Sequence, residues 1–235
     1  MGALTGDRLA TGYRDARARV RSLLDDGDED AGHRPVPACP AWTVGDLLGH
    51  LAGLAAVYGS GRVPEGDRQG WLDGLVVKRR GKRIVDVVEE WDVAGPSMEQ
   101  AIIAEPQRRW PLVYDVIAHE HDLRGALGVA ADRDGDAIML GLQLGLRITA
   151  SDLARHDLPG IRVLVGGGES GDLVVGDDPI DLTLEASAFE AFRLLGSRRT
   201  STEMRAAAFS GDLDRYLPGL VHMQLPINSL GEAPG

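Results

Sequence analysis

Asp115 and His119 are the residues whose types and spacing most suggest chemistry in this sequence. They stand four positions apart in a stretch, residues 109–128, whose apolar side chains recur at helical spacing, so the two share one helix face. A carboxylate oxygen and an imidazole nitrogen are both ligands that zinc accepts. Two ligands on one helix need a third from elsewhere to hold such an ion while leaving a position open.

The two ends of this helix are marked by residues with special backbone preferences. Pro111 suits the first turn, where its missing N–H group costs no hydrogen bond. Gly128 suits the position just past the last turn, where the chain commonly takes a left-handed conformation. The sequence therefore predicts one amphipathic helix that carries Asp115 and His119 near its middle.

His50 is the candidate for the third ligand. It lies two turns into a second amphipathic helix that begins at Thr43, where Asp46 completes a start resembling a capping box. Inward-pointing side chains on facing helices of a bundle commonly build metal sites. A carboxylate and a histidine four apart are a weak motif, so an alternative stays open. Asp115 and His119 can equally be a hydrogen-bonded surface pair, and His50 a satisfied core histidine.

The elements that would position these residues fall into two groups. Helical patterns fill the first two thirds of the chain, with a break or kink expected at Gly95 and Pro96 and small residues on the second helix that allow close approach by a neighbour. These patterns cover residues 6–24, 43–59, 84–91, 109–128 and 137–155, with the third of them resuming at 97–105 after the break or kink and a short helical piece at 71–77. They predict an up-and-down bundle of about four or five helices.

The pattern changes after residue 159. Three short β-rich runs come first, at residues 161–165, 173–175 and 180–185, followed by helical patterns at 186–195 and 202–208. The glycine-rich residues 166–170 lack the features of a phosphate loop and are expected to form a hairpin turn, and acidic residues 25–33 a plain loop. We therefore predict an α+β protein with domains at residues 1–158 and 159–235.

Composition excludes several classes of protein. The formal net charge of −11 argues against a general nucleic-acid binder and, more weakly, against binding to anionic membranes. No apolar run is long enough to span a membrane, and the first 20 residues lack the apolar region of a signal peptide. The single cysteine, Cys39, rules out an internal disulfide and fits a reducing compartment. We expect a cytoplasmic protein.

Three segments carry a resemblance to a known family. CPAWTVGDLLGHLAG (residues 39–53) resembles the N-terminal signature of the mycothiol-dependent maleylpyruvate isomerase family, within the DinB-like metalloenzyme superfamily. YDVIAHEHDLRGALG (residues 114–128) is similar to its second signature, in which an acid and a histidine four apart precede an aspartate. AFEAFRLLGSRRTSTEMRAAAFSGD (residues 188–212) is similar to its C-terminal domain. The matches occur in the family's order and span most of the chain.

The resemblance implies a DinB-like four-helix bundle followed by a small α/β C-terminal domain. It also implies a divalent metal, usually zinc, held by His50, Asp115 and His119. The isomerases of the family have glutamate where this chain has Asp115, and the shorter side chain can place the ion differently. Of Arg198 and Arg199 in the predicted loop, the resemblance favours one as a catalytic residue without choosing between them.

Such an ion would ionise a bound thiol, which makes a nucleophile at neutral pH without a protein cysteine. The resemblance implies mycothiol as that low-molecular-weight thiol, with an electrophilic small molecule as substrate and either S-transfer or cis–trans isomerisation as outcome. Two other functions remain open: a non-catalytic metal-binding or ligand-sensing protein, and a hydrolase using zinc-bound hydroxide. We expect a monomer or homodimer without nucleic-acid or membrane partners.

Residues near these positions also receive an interpretation. Asp122, three residues after His119, is either an outer partner of the site or a helix-surface acid. Glu120 and Arg124 stand four apart and are expected to form a surface ion pair. Cys39 could serve as a fourth ligand or a nucleophile, but its place in a proline-flanked loop favours a structural role. Trp42 is expected to pack at the helix start. The sequence alone goes no further than these roles.

Overall fold

A computed structural model describes residues 4–24, 29–62, 66–130, 132–166 and 171–231. The chain forms two compact units, Met1–Ala131 and Asp132–Gly235. The domain boundary predicted after residue 158 stays a prediction, and the helix before it is described below with the elements that it contacts. None of the helices in these ranges has the length and apolar character of a membrane span.

The first unit is built around four long helices. The helices are α1 (Gly6–Ser22), α2 (Val44–Gly59), α3 (Arg68–Val77), α4 (Ile84–Ala104) and α5 (Pro106–Leu127), with a short 3-10 helix at Glu29–His33. α1 packs on α4 and α5, and α2 packs on the same two helices, while the shorter α3 packs on α2. The predicted helical bundle is confirmed. Of the plain loop predicted at residues 25–33, residues 25–28 lie outside the described residues, and Glu29–His33 form the 3-10 helix, so the prediction is wrong there.

α4 is continuous through Gly95 and Pro96, so the predicted break is wrong. Arg17 of α1 explains how the helix tolerates both residues. Its guanidinium crosses α4 at Gly95, where a Cβ atom would stand only 2.6 Å from the Arg17 Cζ. It pairs with Asp92 before the proline and, at 3.2 Å, with Glu99 after it. Packing and ion pairs on both sides therefore offset the hydrogen bond that the proline removes.

α5 begins three residues before the predicted start. Glu105 leaves the helical conformation, with φ −131° and ψ 56°, and so separates α4 from α5. Pro106 then occupies the first helical position, whereas Pro111 lies inside the helix, so its predicted place in the first turn is wrong. The predicted end is confirmed, since Gly128 has the left-handed φ of 71° that glycine adopts without strain.

A buried carboxylate joins α5 to α1. Glu120 is 2% exposed, and its oxygens accept hydrogen bonds from Arg19 Nε at 2.9 Å and Arg19 Nη2 at 2.8 Å. Arg124, one turn along α5, donates from Nη2 at 3.1 Å. The predicted pair between Glu120 and Arg124 is therefore present, but it is buried between helices and not a surface pair, because α1 covers the carboxylate.

Two glycines of α2 allow α3 to approach closely, as their small size predicted. A Cβ atom at Gly53 would lie 2.8 Å from the Leu75 Cβ and 2.8 Å from the Arg79 Nη1. A Cβ at Gly49 would lie 3.1 Å from the Arg79 Cβ. Arg79 itself is buried just beyond α3 and pairs with Glu90 of α4. The glycines thus set the distance between α2 and α3.

Gly53→Ala is expected to lower the free energy of unfolding by about 1–3 kcal/mol, because the new methyl group would overlap the Leu75 Cβ, which its backbone holds in place. Gly74→Ala is the matched control on α3, where a Cβ atom would meet nothing within 4 Å. The control is expected to be stabilising by up to about 1 kcal/mol through helix propensity. Chemical denaturation measures both, and equal effects of the two substitutions would contradict this packing.

The second unit combines a mixed sheet with short helices. The elements are α6 (Asp136–Arg155), β1 (Gly160–Val165), β2 (Asp172–Val175), β3 (Ile180–Ala186), α7 (Ala188–Leu195), α8 (Ser201–Ala206), β4 (Ala208–Ser210) and α9 (Leu213–Leu220). The strand order is β2-β1-β3-β4, with β1 antiparallel to β2 and parallel to β3, and β4 antiparallel to β3. α6 packs on α7 and α9.

The predicted α+β class and the three predicted strands are confirmed. The antiparallel pairing of β1 and β2 agrees with a hairpin, although residues 167–170 of its predicted turn lie outside the described residues. β4 and α9 were not predicted. Both are short: β4 has 3 residues, and α9 has 8 residues with Pro218 inside, so neither offers a long periodic pattern.

Candidate metal centre

α2 and α5 bring the three predicted ligands together. At the start of α2 the Thr43 hydroxyl accepts a hydrogen bond from the Asp46 N–H at 3.2 Å, and the Asp46 carboxylate accepts one from the Thr43 N–H at 3.2 Å. This capping box, which the sequence predicted, fixes where the helix begins and so where His50 lies two turns later. Asp115 and His119 follow each other by one turn on α5.

A single carboxylate lies between two imidazoles. Asp115 Oδ2 is 3.1 Å from His50 Nε2, and Asp115 Oδ1 is 3.4 Å from His119 Nε2. The two imidazole rings meet edge to face, with their centroids 5.5 Å apart. One ligand atom from each residue lies within 4.8 Å of the other two. The structure therefore places the three predicted residues in one cluster.

The surroundings of the cluster favour positive charge. Burial by itself raises the pKa of the Asp115 carboxyl, but the imidazoles of His119 and His50 outweigh it and hold that pKa well below its ordinary value. Burial lowers the pKa of the His119 imidazole, yet the carboxylates of Asp115 and Asp122 raise it well above its ordinary value. A proton or a metal ion supplies such charge, and the two compete for the same atoms.

The donor atoms fit a zinc-type ion. Ligands at the usual 2.0–2.1 Å around a tetrahedral ion stand about 3.3 Å from one another. The Asp115 carboxylate lies at about that separation from both imidazoles, with Oδ2 at 3.1 Å from His50 Nε2 and Oδ1 at 3.4 Å from His119 Nε2. Two imidazole nitrogens and one carboxylate are also a donor set found in zinc enzymes that keep a position open for substrate or water. These residues can thus hold the ion that the sequence predicted.

Exposure differs between the three predicted ligands. His50 and His119 are buried, whereas the Asp115 side chain is 30% exposed. Trp42 packs against the imidazoles, with its ring 5.0 Å from that of His50 and 6.2 Å from that of His119. Within the first unit, solvent therefore reaches the cluster on the side of Asp115.

A second group of potential ligands shares His119 with the first. Asp122 Oδ2 is 2.9 Å from His119 Nδ1, and Cys39 Sγ is 3.9 Å from the same Asp122 oxygen. The sequence left Asp122 open between an outer partner and a surface acid, and the structure shows it buried against the ligand. Cys39, which the sequence left as a less favoured fourth ligand or nucleophile, lies beside Asp122. It is held there by a tight turn before α2, in which the Trp42 N–H donates to the Cys39 carbonyl at 2.8 Å.

Arg198 and Arg199, the predicted catalytic residues, lie in the loop between α7 and α8, as expected, and both are buried. Arg199 forms a bidentate pair with Glu190, from Nε at 2.6 Å and from Nη2 at 2.8 Å, and its Nη1 donates to the Arg198 carbonyl at 2.9 Å. Arg198 Nη1 donates to the Gly196 carbonyl at 2.9 Å. Their catalytic role stays a prediction.

The chain is similar to a known protein family and to solved structures. Residues 13–130 match the model of the family described as the mycothiol maleylpyruvate isomerase N-terminal domain. A crystal structure of the mycothiol-dependent maleylpyruvate isomerase is similar, with a TM-score of 0.59, 15% identity, and 83% of this chain and 91% of that chain covered. A point mutant of that isomerase gives a TM-score of 0.62, 13% identity and the same coverage of 83% and 91%. At these identities the likeness shows a shared fold. No curated protein sequence matches the chain.

Proposed function

Because the chain belongs to the mycothiol maleylpyruvate isomerase family, we propose that it is a metal-dependent enzyme in which a low-molecular-weight thiol, mycothiol, acts on a small electrophile. The observation that carries the proposal is that one potential ligand atom each from His50, Asp115 and His119 lies within 4.8 Å of the other two. A metal ion bound there, zinc by preference, would lower the pKa of a coordinated thiol so that it is a thiolate at neutral pH.

The residues of the chain have three tasks in this proposal. His50, Asp115 and His119 hold the ion. The single negative charge of the Asp115 carboxylate offsets half of the charge of a divalent ion, which leaves a net charge of about +1 to attract an anionic thiolate. Trp42 covers the imidazoles and limits the access of water to them. The exposed side of Asp115 is where a thiol would enter. Arg198 and Arg199 remain candidates for binding a carboxylate of the substrate, because guanidinium matches that group in shape and charge.

The proposed reaction begins with addition of the thiol to an activated double bond. A sulfur–carbon bond forms at one carbon, and a proton is added at the other. Rotation about the resulting single bond, followed by loss of the same thiol and proton, gives the trans isomer and regenerates the thiol. An electrophile that carries a leaving group would instead keep the sulfur: the bond between carbon and the leaving group breaks, the group departs as an anion with the electron pair, and the thiol's proton is released. S-transfer is therefore the second outcome. A reduced thiol cosubstrate agrees with the cytoplasmic location predicted from the sequence.

Turnover is expected to require both the thiol and the metal. With maleylpyruvate as test electrophile, omission of mycothiol should abolish turnover, because no nucleophile is then present. Removal of the metal by a chelator should lower the rate by about 30-fold or more, since a free thiol is only a few per cent ionised at pH 7. Ultraviolet absorbance follows the isomerisation, and a chloronitrobenzene tests S-transfer. Restoring the rate with added zinc is the control for damage by the chelator.

The two alternatives give different results in the same assay. A zinc hydrolase would act on ester or amide substrates at a rate that does not depend on added thiol. A metal-binding or sensing protein would take up the metal and show no thiol-dependent turnover with either electrophile. Either result would overturn the proposal.

A further inference from the structure

The imidazole of His119 is held from both sides. Its Nε2 atom lies 3.4 Å from the carboxylate of Asp115, and its Nδ1 atom lies 2.9 Å from Asp122 Oδ2. Both carboxylates accept hydrogen bonds and neither donates, so each ring nitrogen faces an acceptor. When Nε2 binds a metal ion through its lone pair, the ring's hydrogen must be on Nδ1, where Asp122 accepts it.

Asp122 is fully enclosed, with a side chain 0% exposed. A buried carboxylate is costly unless donors satisfy it, because no water reaches it. The His119 Nδ1–H group is one such donor, and the Cys39 thiol, with Sγ 3.9 Å from Asp122 Oδ2, is a weaker one. The carboxylate is thus fixed in place by the groups around it and, in turn, fixes the plane of the imidazole.

His50 lacks a comparable partner. Its Nδ1 atom is buried and has no hydrogen-bond partner in the described part of the chain. Its ring is held by packing against Trp42, at 5.0 Å between centroids, and by the contact of Nε2 with Asp115. Of the two ligand imidazoles, His119 is therefore the one whose orientation a hydrogen bond controls from behind.

We propose that Asp122 is a positioning residue of the metal site, which holds His119 with Nε2 toward His50 and Asp115, and that Cys39 supports Asp122 from behind without binding the ion. This inference rests on the proposed function, since it concerns the same metal site. It also chooses between two groups of potential ligands that share His119: the first with His50 and Asp115, the second with Cys39 and Asp122.

The first group is favoured by the arrangement of its atoms. The Nε2 atoms of His50 and His119 both lie beside the Asp115 carboxylate, at 3.1 Å and 3.4 Å from its two oxygens, so each residue offers one ligand atom to a shared position. In the second group a single oxygen of Asp122 accepts from both His119 and Cys39, at 2.9 Å and 3.9 Å. That oxygen is already a hydrogen-bond acceptor for His119 Nδ1, which is the arrangement expected of an outer partner.

The test measures metal affinity by competition with a chelator, in the purified full-length protein. Asp122→Asn keeps an oxygen that can accept from Nδ1–H but removes the charge, and Asp122→Ala removes both. We expect Kd to rise by about 10-fold for the first and about 100-fold for the second, the range seen when outer partners of ligand histidines are changed. The asparagine variant keeps the test decisive if the alanine variant does not fold.

Glu120→Gln is the matched control. It also removes one buried negative charge from α5, but its carboxylate contacts Arg19 and Arg124. It is expected to lower the melting temperature while Kd for the metal changes by less than about 3-fold. If Glu120→Gln weakens the metal as much as Asp122→Asn does, the effect of Asp122 is general destabilisation of α5 and the inference is wrong.

Cobalt separates the two groups of ligands by spectroscopy. Cobalt-loaded protein is expected to lack the near-ultraviolet absorption of a cobalt–thiolate bond, and Cys39→Ser to keep Kd within about 3-fold of wild type. A thiolate band that disappears in Cys39→Ser would place the ion on Cys39, His119 and Asp122 and overturn the inference while leaving metal dependence intact. A wild-type protein that binds neither zinc nor cobalt would overturn the proposed metal site itself.

Discussion

His50→Ala and Asp115→Ala proteins are expected to purify without metal, whereas the wild-type protein carries about one ion per chain. Each substitution removes one of three ligands, and the two that remain cannot hold an ion that keeps a position open for substrate. The expected rise in Kd is about 1,000-fold or more, beyond the 10- to 100-fold expected for an outer partner. Elemental analysis of the purified and zinc-reconstituted proteins measures the metal content.

His121→Gln is the control for these substitutions. His121 is a buried histidine on the same helix, two residues after His119, and it belongs to neither group of potential ligands. Its substitution is expected to leave one ion per chain. Metal content that is equal in all four proteins would contradict the assignment of His50 and Asp115, and a wild-type protein that stays metal-free after reconstitution would contradict a metal site in this cluster.

The ligand cluster was within reach of the sequence because its geometry is local. Asp115 and His119 share a helix face whatever surrounds the helix, and the Thr43–Asp46 capping box fixes the position of His50 along α2. What the spacing could not supply is that α2 faces α5 at these positions. The bundle argument made His50 a candidate, the family resemblance favoured it, and the distances now show the three residues together.

Other features depend on contacts that no local pattern reveals. Gly95 and Pro96 predict a break or a kink, yet α4 does not break there. Arg17, about 80 residues earlier in the chain, pairs with α4 on both sides of the proline. The helix start was predicted at residue 109, with Pro111 in the first turn, whereas α5 begins at Pro106. A single non-helical residue, Glu105, separates α4 from α5, which leaves almost no sequence signal between them. In both places tertiary structure decides where a helix continues or stops.

The same limit applies to charged residues. The spacing of Glu120 and Arg124 predicts a pair, but only the approach of α1 with Arg19 shows that the pair is buried. Likewise, Arg198 and Arg199 are adjacent and of one type, so the sequence could not divide their roles. The contacts of their guanidinium groups provide a distinction that can be tested.

Arg199→Ala is expected to lower the free energy of unfolding by about 3 kcal/mol, because it leaves Glu190 without its bidentate partner. The Glu190 side chain is 22% exposed, so water recovers part of its hydration and keeps the loss near the lower end of the range for buried pairs. Arg199 also donates to the Arg198 carbonyl, so its loss loosens the loop between α7 and α8. Chemical denaturation of the metal-free protein measures the change.

Arg198→Ala is expected to affect activity and leave stability nearly unchanged, the reverse of Arg199→Ala. If Arg198 binds the substrate's carboxylate or developing charge, its loss should lower kcat/KM by about 100-fold or more while metal content stays at one ion per chain. Arg199→Lys is the control for Arg199→Ala. It keeps a positive charge near Glu190 and is expected to recover most of the free energy of unfolding that Arg199→Ala loses, without the bidentate geometry. If metal-loaded Arg198→Ala keeps the wild-type kcat/KM, Arg198 has no catalytic role. If kcat/KM falls only in Arg199→Ala, measured under conditions in which that variant is fully folded, the catalytic role belongs to Arg199.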